Sequence, residues 1–111
     1  QEYAKMNKPV GFLAALLLSV PVLAEQSLVI DVRTAEEYRQ GHVQDALNIP
    51  YDEIASRIAA VTSDRDASIV LYCRSGHRAG IAEQALRQMG YGRIENKGGL
   101  DNMKRGGYSV Q

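Results

Sequence analysis

The chain reads as an α/β protein of one domain, with a small parallel β-sheet carrying helices on both faces. Three observations predict this. Short apolar runs recur at Ser27–Val32, Ala46–Ile49 and Ile69–Tyr72; segments with helical apolar spacing separate them; Gly41, Pro50 and Gly90 stand at the junctions. Such alternation favours parallel strands joined by crossover helices. Ligands of such sheets sit beyond the carboxyl ends of the strands.

Each element has its own signal. Ser27–Val32 is apolar and β-branched, as a buried strand requires. Thr34 with Glu37 three residues on forms a capping box for a short helix to Gln40, stopped by Gly41. Ala46–Ile49 reads as a second short strand ended by Pro50. Asp52 is placed to cap a helix whose apolar face is Ile54, Ile58 and Val61. Thr62–Asp66 is a polar loop. Ile69–Tyr72, apolar on both faces, is the central strand. Ile81, Ala82, Ala85, Leu86 and Met89 then make one helical stripe, with Gly90 as C-cap. Tyr91–Glu95 is expected as a last strand, Lys97–Leu100 as a turn that opens a short helical piece, and 104–111 as irregular.

A length of 111 residues allows one domain at most, and 45% hydrophobic with 23% charged residues is ordinary for a globular protein. The formal net charge is zero, which removes any general electrostatic case for nucleic acid or an anionic membrane. The single cysteine excludes an intramolecular disulfide and a cysteine-rich zinc site. With two separated histidines it makes a poor ligand set, so no metal is inferred.

Residues 1–24 are read apart from the fold. Residues 1–5 precede Met6 as an upstream remnant; Asn7–Lys8 gives a short positive region and Gly11–Val20 an apolar one. Pro21–Ala24 closes it, with Val22 and Ala24 where a signal peptidase reads. This is the layout of a signal peptide. A membrane span needs about 20 apolar residues, and residues 10–24 are fewer and contain Pro21. Cleavage after Ala24 would leave a domain of residues 25–111, exported to the periplasm with no stable membrane insertion, and expected to act as a monomer.

The chemistry concentrates in Cys73-Arg74-Ser75-Gly76-His77-Arg78, where a strand ends and a helix begins. Backbone N–H groups of such a loop, backed by the helix dipole, cradle anions. A cysteine there should ionise easily. Arg74 and Arg78 add positive charge, guanidinium forks suit sulfonate-like oxygens, and no Asp or Glu occurs from 67 to 82. Gly76 lets the loop turn inward, and Ser75 is a candidate donor. His77 stays open between a pocket wall and a solvated position.

This loop resembles the active-site loop of single-domain rhodaneses, the thiosulfate sulfurtransferases. Asp31-Val32-Arg33 with Glu37-Tyr38, and Gly41-His42-Val43 with Ala46-Leu47-Asn48-Ile49-Pro50, are similar to two further stretches of that family. The likeness covers residues 27–110 and, with the leader, is greatest to the small exported rhodaneses of the phage-shock protein E type. Two positions depart from the family pattern. Asp45 stands where a glycine is more usual, and Met103 where many members carry an aromatic residue, which predicts a more open late pocket wall.

The resemblance implies a rhodanese-like fold and sulfur transfer through a persulfide, which requires no cofactor. Cys73 is the expected nucleophile, with Arg74, Ser75, Gly76, His77 and Arg78 binding substrate. The expected partners are a small anionic sulfur donor, thiosulfate, and a cyanide or thiol acceptor. Asp31, Arg33 and Glu37 are expected to pin the fold, and His42 to hydrogen-bond within it. Two alternatives use the same cysteine. A phosphatase or arsenate reductase is disfavoured by spacing, because four residues separate Cys73 from Arg78 and cysteine phosphatases have one more. A persulfide carrier or sensor that hands sulfur to a protein partner remains compatible with every residue named.

Overall fold

The computed structural model describes residues 26–111, and the leader expected over residues 6–24 lies outside them. Strand β3 (Ile69–Cys73) is buried along its whole length. It lies between β1 (Leu28–Asp31) and β4 (Ile94–Gly99), and β2 (Leu47–Asn48) completes the order β2-β1-β3-β4. All pairings are parallel. Three helices connect the strands, α1 (Ala35–Gln40), α2 (Ile54–Val61) and α3 (His77–Gln88), and α4 (Leu100–Arg105) follows β4.

Alternation along β3 builds two cores. Ile69, Leu71 and Cys73 face Ile54 and Ile58 of α2 and Ala79, Ala82 and Leu86 of α3. Val70 and Tyr72 face the other way, onto Val43, Ala46 and Met103 of α4. A strand apolar at every position is therefore covered on both sides, as expected. Each fully buried Ile or Leu contributes about 2 kcal/mol.

The capping box forms as read: Thr34 Oγ1 accepts from the Glu37 N–H at 3.2 Å, and Glu37 Oε1 accepts from the Thr34 N–H at 3.0 Å. Gly90 also does what its position predicts. It has φ of +97°, with Gly90 N–H on Arg87 O and Tyr91 N–H on Leu86 O, a Schellman ending for α3. Asp45 has φ of +68°, the one positive value outside glycine among the described residues. A short polar side chain tolerates this conformation better than most.

Several expectations are corrected. Asp52 does not cap α2; Glu53 occupies the N-cap without a side-chain capping bond, its carboxylate accepting instead from Arg57 Nη1 at 3.2 Å. Val61 and Ile81 face solvent, 38% and 43% exposed, since each lies past the edge of the stripe that meets the sheet. The second strand shrinks to two residues. The last strand begins at Ile94, not Tyr91, and runs through Gly99, so the expected turn at 97–99 is strand and α4 follows directly. Met103 is no pocket wall: it is fully buried in the core beside Tyr72. The tail is less irregular than read, because Val110 bridges Val43.

Candidate active site

The central strand delivers Cys73 to the carboxyl end of the sheet, where its side chain is 1% exposed. The chain then turns through Gly76, whose φ of +99° suits glycine. Gly76 is the N-cap of α3 and has no side chain to satisfy the first helical N–H groups. The cysteine sulfur takes that place. Gly76 N–H donates to Sγ at 3.0 Å. Burial opposes ionisation of the Cys73 thiol, but the N–H groups of Ala79, Ser75, Gly76 and Arg78 outweigh it and hold its pKa below the ordinary thiol value. Negative charge on sulfur is thus met by backbone dipoles that need no reorganisation.

The other loop side chains point elsewhere. Arg74, Ser75 and His77 are exposed. Arg78 is half-buried and forked onto Glu37, Nη1 to Oε1 at 2.8 Å and Nη2 to Oε2 at 3.0 Å. Arg74 Nη1 lies 3.8 Å from the same carboxylate. No acidic residue stands near the two arginines in the sequence, but Glu37, from α1, cancels one charge across a separation of 41 residues. Pairing with Arg78, against the effect of burial and with help from Thr34, lowers the Glu37 carboxyl to about 2.

Strand β4 braces the loop from the other side. Asn96 Nδ2 donates to Gly76 O at 3.0 Å, and Asn96 Oδ1 accepts from Gly98 N–H at 2.9 Å. A Cβ on Gly76 would fall 3.2 Å from the Cα of Gly98. Cys73 pairs with Gly99 just after a register shift in the ladder. None of Asn96, Gly98 and Gly99 is singled out for the site by the sequence. The only local signal is the paired glycine, which reads equally well as a turn.

Beneath the site Asp31 and Arg33 form a buried pair at 2.6 Å. Tyr72 donates its hydroxyl to Asp31 Oδ2 at 2.8 Å and accepts the Val43 N–H at 3.0 Å. The network expected of Asp31 and Arg33 is present, with Tyr72 as a member that the sequence does not announce. His42 bonds Tyr38 O at 2.8 Å through Nδ1 and stacks on the Tyr38 ring, a packing role away from the loop. Among the described residues no cluster of His, Cys, Asp and Glu is arranged to hold a metal ion, and no helix is long and apolar enough to cross a membrane.

Comparisons with known proteins agree with this arrangement. The chain is 45% identical over 94 residues to thiosulfate sulfurtransferase PspE of Escherichia coli (strain K12), covering 84% of this chain and 89% of that one. It is 41% identical to a sulfurtransferase of Allochromatium vinosum, covering 78% and 79%. Among solved structures, a rhodanese with anions from E. coli superimposes with a TM-score of 0.72 at 38% identity, over 78% of this chain and 98% of that one. Residues 18–105 match the rhodanese-like domain model. A lone buried cysteine ringed by N–H groups at the end of a parallel sheet, together with this match, places the chain in the rhodanese-like domain family.

Proposed function

We propose that the chain is a thiosulfate sulfurtransferase that works through a persulfide on Cys73. The carrying observation is the convergence of backbone N–H groups on Sγ, with a lowered thiol pKa. The Cys73 thiolate attacks the outer sulfur of thiosulfate. The new Sγ–S bond forms as the S–S bond of thiosulfate breaks, and sulfite leaves with that electron pair. The persulfide anion remains in the N–H cradle. An acceptor, cyanide or a thiolate, then attacks the outer sulfur, and the pair of the Sγ–S bond returns to Cys73. Sulfur transfer needs no general base once the thiol is ionised, which fits the outward placement of His77.

Within this reading the loop backbone from Ser75 to Arg78 holds the anion. Arg74 is an exposed charge at the edge of the loop, and Arg78 acts through its fork to Glu37. Ser75, His77 and Gly76 line the mouth. The signal-like layout of residues 6–24 supports an exported enzyme.

The test is intact mass after incubation with thiosulfate, beside Cys73→Ser. Gain of one sulfur atom, lost to cyanide as thiocyanate and absent in the variant, is the expected result. A folded, reduced protein that takes up no sulfur would overturn the reading.

A further inference from the structure

A groove of about 310 Å³ opens beside the active-site loop, lined by Arg33, Glu37, Arg74 and Asp101 among others. It lies at the carboxyl ends of three strands: Arg33 follows β1, Arg74 follows β3 and Asp101 follows β4. Arg33 is the rigid element. It is 6% exposed, and its Nε and Nη2 are spent on Asp31 and on Gly41 O. Its Nη1 makes no hydrogen bond among the described residues. No buried side-chain nitrogen or oxygen there lacks a partner, so Nη1 is accessible to what enters the groove. Arg74, 75% exposed and only 3.8 Å from a carboxylate already forked by Arg78, adds a movable cation.

A fixed guanidinium edge with a second cation nearby is the chemistry of carboxylate recognition. Glu37 is already forked by Arg78, but Asp101 on the groove's rim, 84% exposed and 3.8 Å from Lys104, argues against the dianion thiosulfate as occupant. It favours a ligand that also carries an ammonium group. The donor already has a place in the N–H cradle around Cys73.

We propose that this groove seats the sulfur acceptor, and that the acceptor is a thiol carrying a carboxylate, best an amino-acid thiol whose ammonium group meets Asp101. The proposal rests on the persulfide reading above. In the transfer the acceptor thiolate attacks the outer sulfur of the Cys73 persulfide. A bond forms between them, the Sγ–S bond breaks, and its electron pair returns to Sγ as thiolate. Sulfur leaves as the acceptor's persulfide, and no outside oxidant or reductant is involved.

The experiment measures kcat/KM of the full chain, at saturating thiosulfate, for L-cysteine, 3-mercaptopropionate, cysteamine and 2-mercaptoethanol, each expressed per thiolate. Thiocyanate formation from cyanide is measured in parallel. The two carboxylate thiols are expected to exceed the two others by about tenfold, the worth of one good charge-assisted bond. Arg74→Gln should shrink that ratio, and Asp101→Asn should shrink the preference for L-cysteine over 3-mercaptopropionate. Ratios are taken within one variant, so a general loss of activity cancels. Thiols that react alike per thiolate, or ratios unmoved by both variants, overturn the acceptor site while cyanide turnover continues. Loss of cyanide turnover in the unmodified chain overturns the persulfide reading as well.

Discussion

The backbone of Gly99 runs so close to Arg74 that a Cβ on Gly99 would lie 1.9 Å from the Arg74 carbonyl oxygen. The obstacle is backbone, not the end of a flexible side chain, so no rotamer change relieves it. The strand that flanks the site is thus shaped by the loop it braces.

Gly99→Ala therefore has to move the Cys73 loop or β4. We expect a loss of about 2 kcal/mol, as in overpacked cores, read from the urea midpoint. The same displacement should pull N–H groups off Sγ. The Cys73 thiol pKa, followed by the pH dependence of iodoacetamide alkylation, should then rise. A variant with full stability and the same alkylation profile would show that the close approach does not matter.

Asn96→Ala separates orientation from packing. Asn96 is exposed, so its loss removes the bonds to Gly76 O and from Gly98 N–H with little cavity. The stability cost should be about 2 kcal/mol, the net worth of two hydrogen bonds. The Cys73 pKa should nevertheless rise, because the Gly76–His77 peptide is freed to rotate at the start of α3. An alkylation profile identical to that of the unmodified chain would refute a positioning role.

These braces mark the limit of what the sequence shows. Short-range features are legible: the Thr34–Glu37 box, Gly90 after α3, and the strand–loop–helix passage at Cys73 all lie within a few residues of one another. The last strand is misplaced for a physical reason. Tyr91 looks like strand, yet its ring is buried at the end of α3, under the guanidinium of Arg65 at 4.4 Å, with its hydroxyl on Thr62 O. The true β4 is an edge strand in which Glu, Asn, Lys and two Gly follow Ile94, poor β-formers kept there by pairing with β3 and by contact with the loop. The site was legible where it is contiguous. Glu37 and Asn96 reach it across 41 and 20 residues, and no local pattern encodes such distances.

Tyr72→Phe tests the buried network behind the loop. The hydroxyl both donates to Asp31 and accepts from Val43, so its loss leaves a buried N–H without its acceptor and a buried carboxylate short of a donor. A cost of about 2 kcal/mol is expected, since orphaned buried groups lose their full desolvation energy. Burial, Asp31 and the hydrogen bond raise the Tyr72 pKa well above the tyrosine range, against the pull of Val43 N–H and Arg33. The unmodified chain should accordingly show one tyrosine that stays neutral in alkaline difference spectra until unfolding, and the variant should lack it. Equal urea midpoints would contradict the network's role.

Glu37→Gln carries a pH signature. The Glu37 carboxyl falls from an ordinary 4.5 to about 2 in the folded chain, chiefly through Arg78. A depressed carboxyl pKa stabilises the fold fully above the unfolded value, and that contribution disappears as pH falls through the folded value. The pair's contribution to stability should thus be full at neutral pH, weaken below about pH 4.5, and be lost as pH falls through about 2. The Gln variant lacks the charge throughout. Its melting temperature should lie below that of the unmodified chain at pH 7, and the two curves should converge toward pH 2. The variant also frees Arg78 and Arg74 from their shared anion, so thiosulfate should bind with a lower KM even as a less firmly held loop lowers kcat. A constant melting gap from pH 7 to pH 2 would mean that shape, not charge, is what Glu37 supplies to the loop.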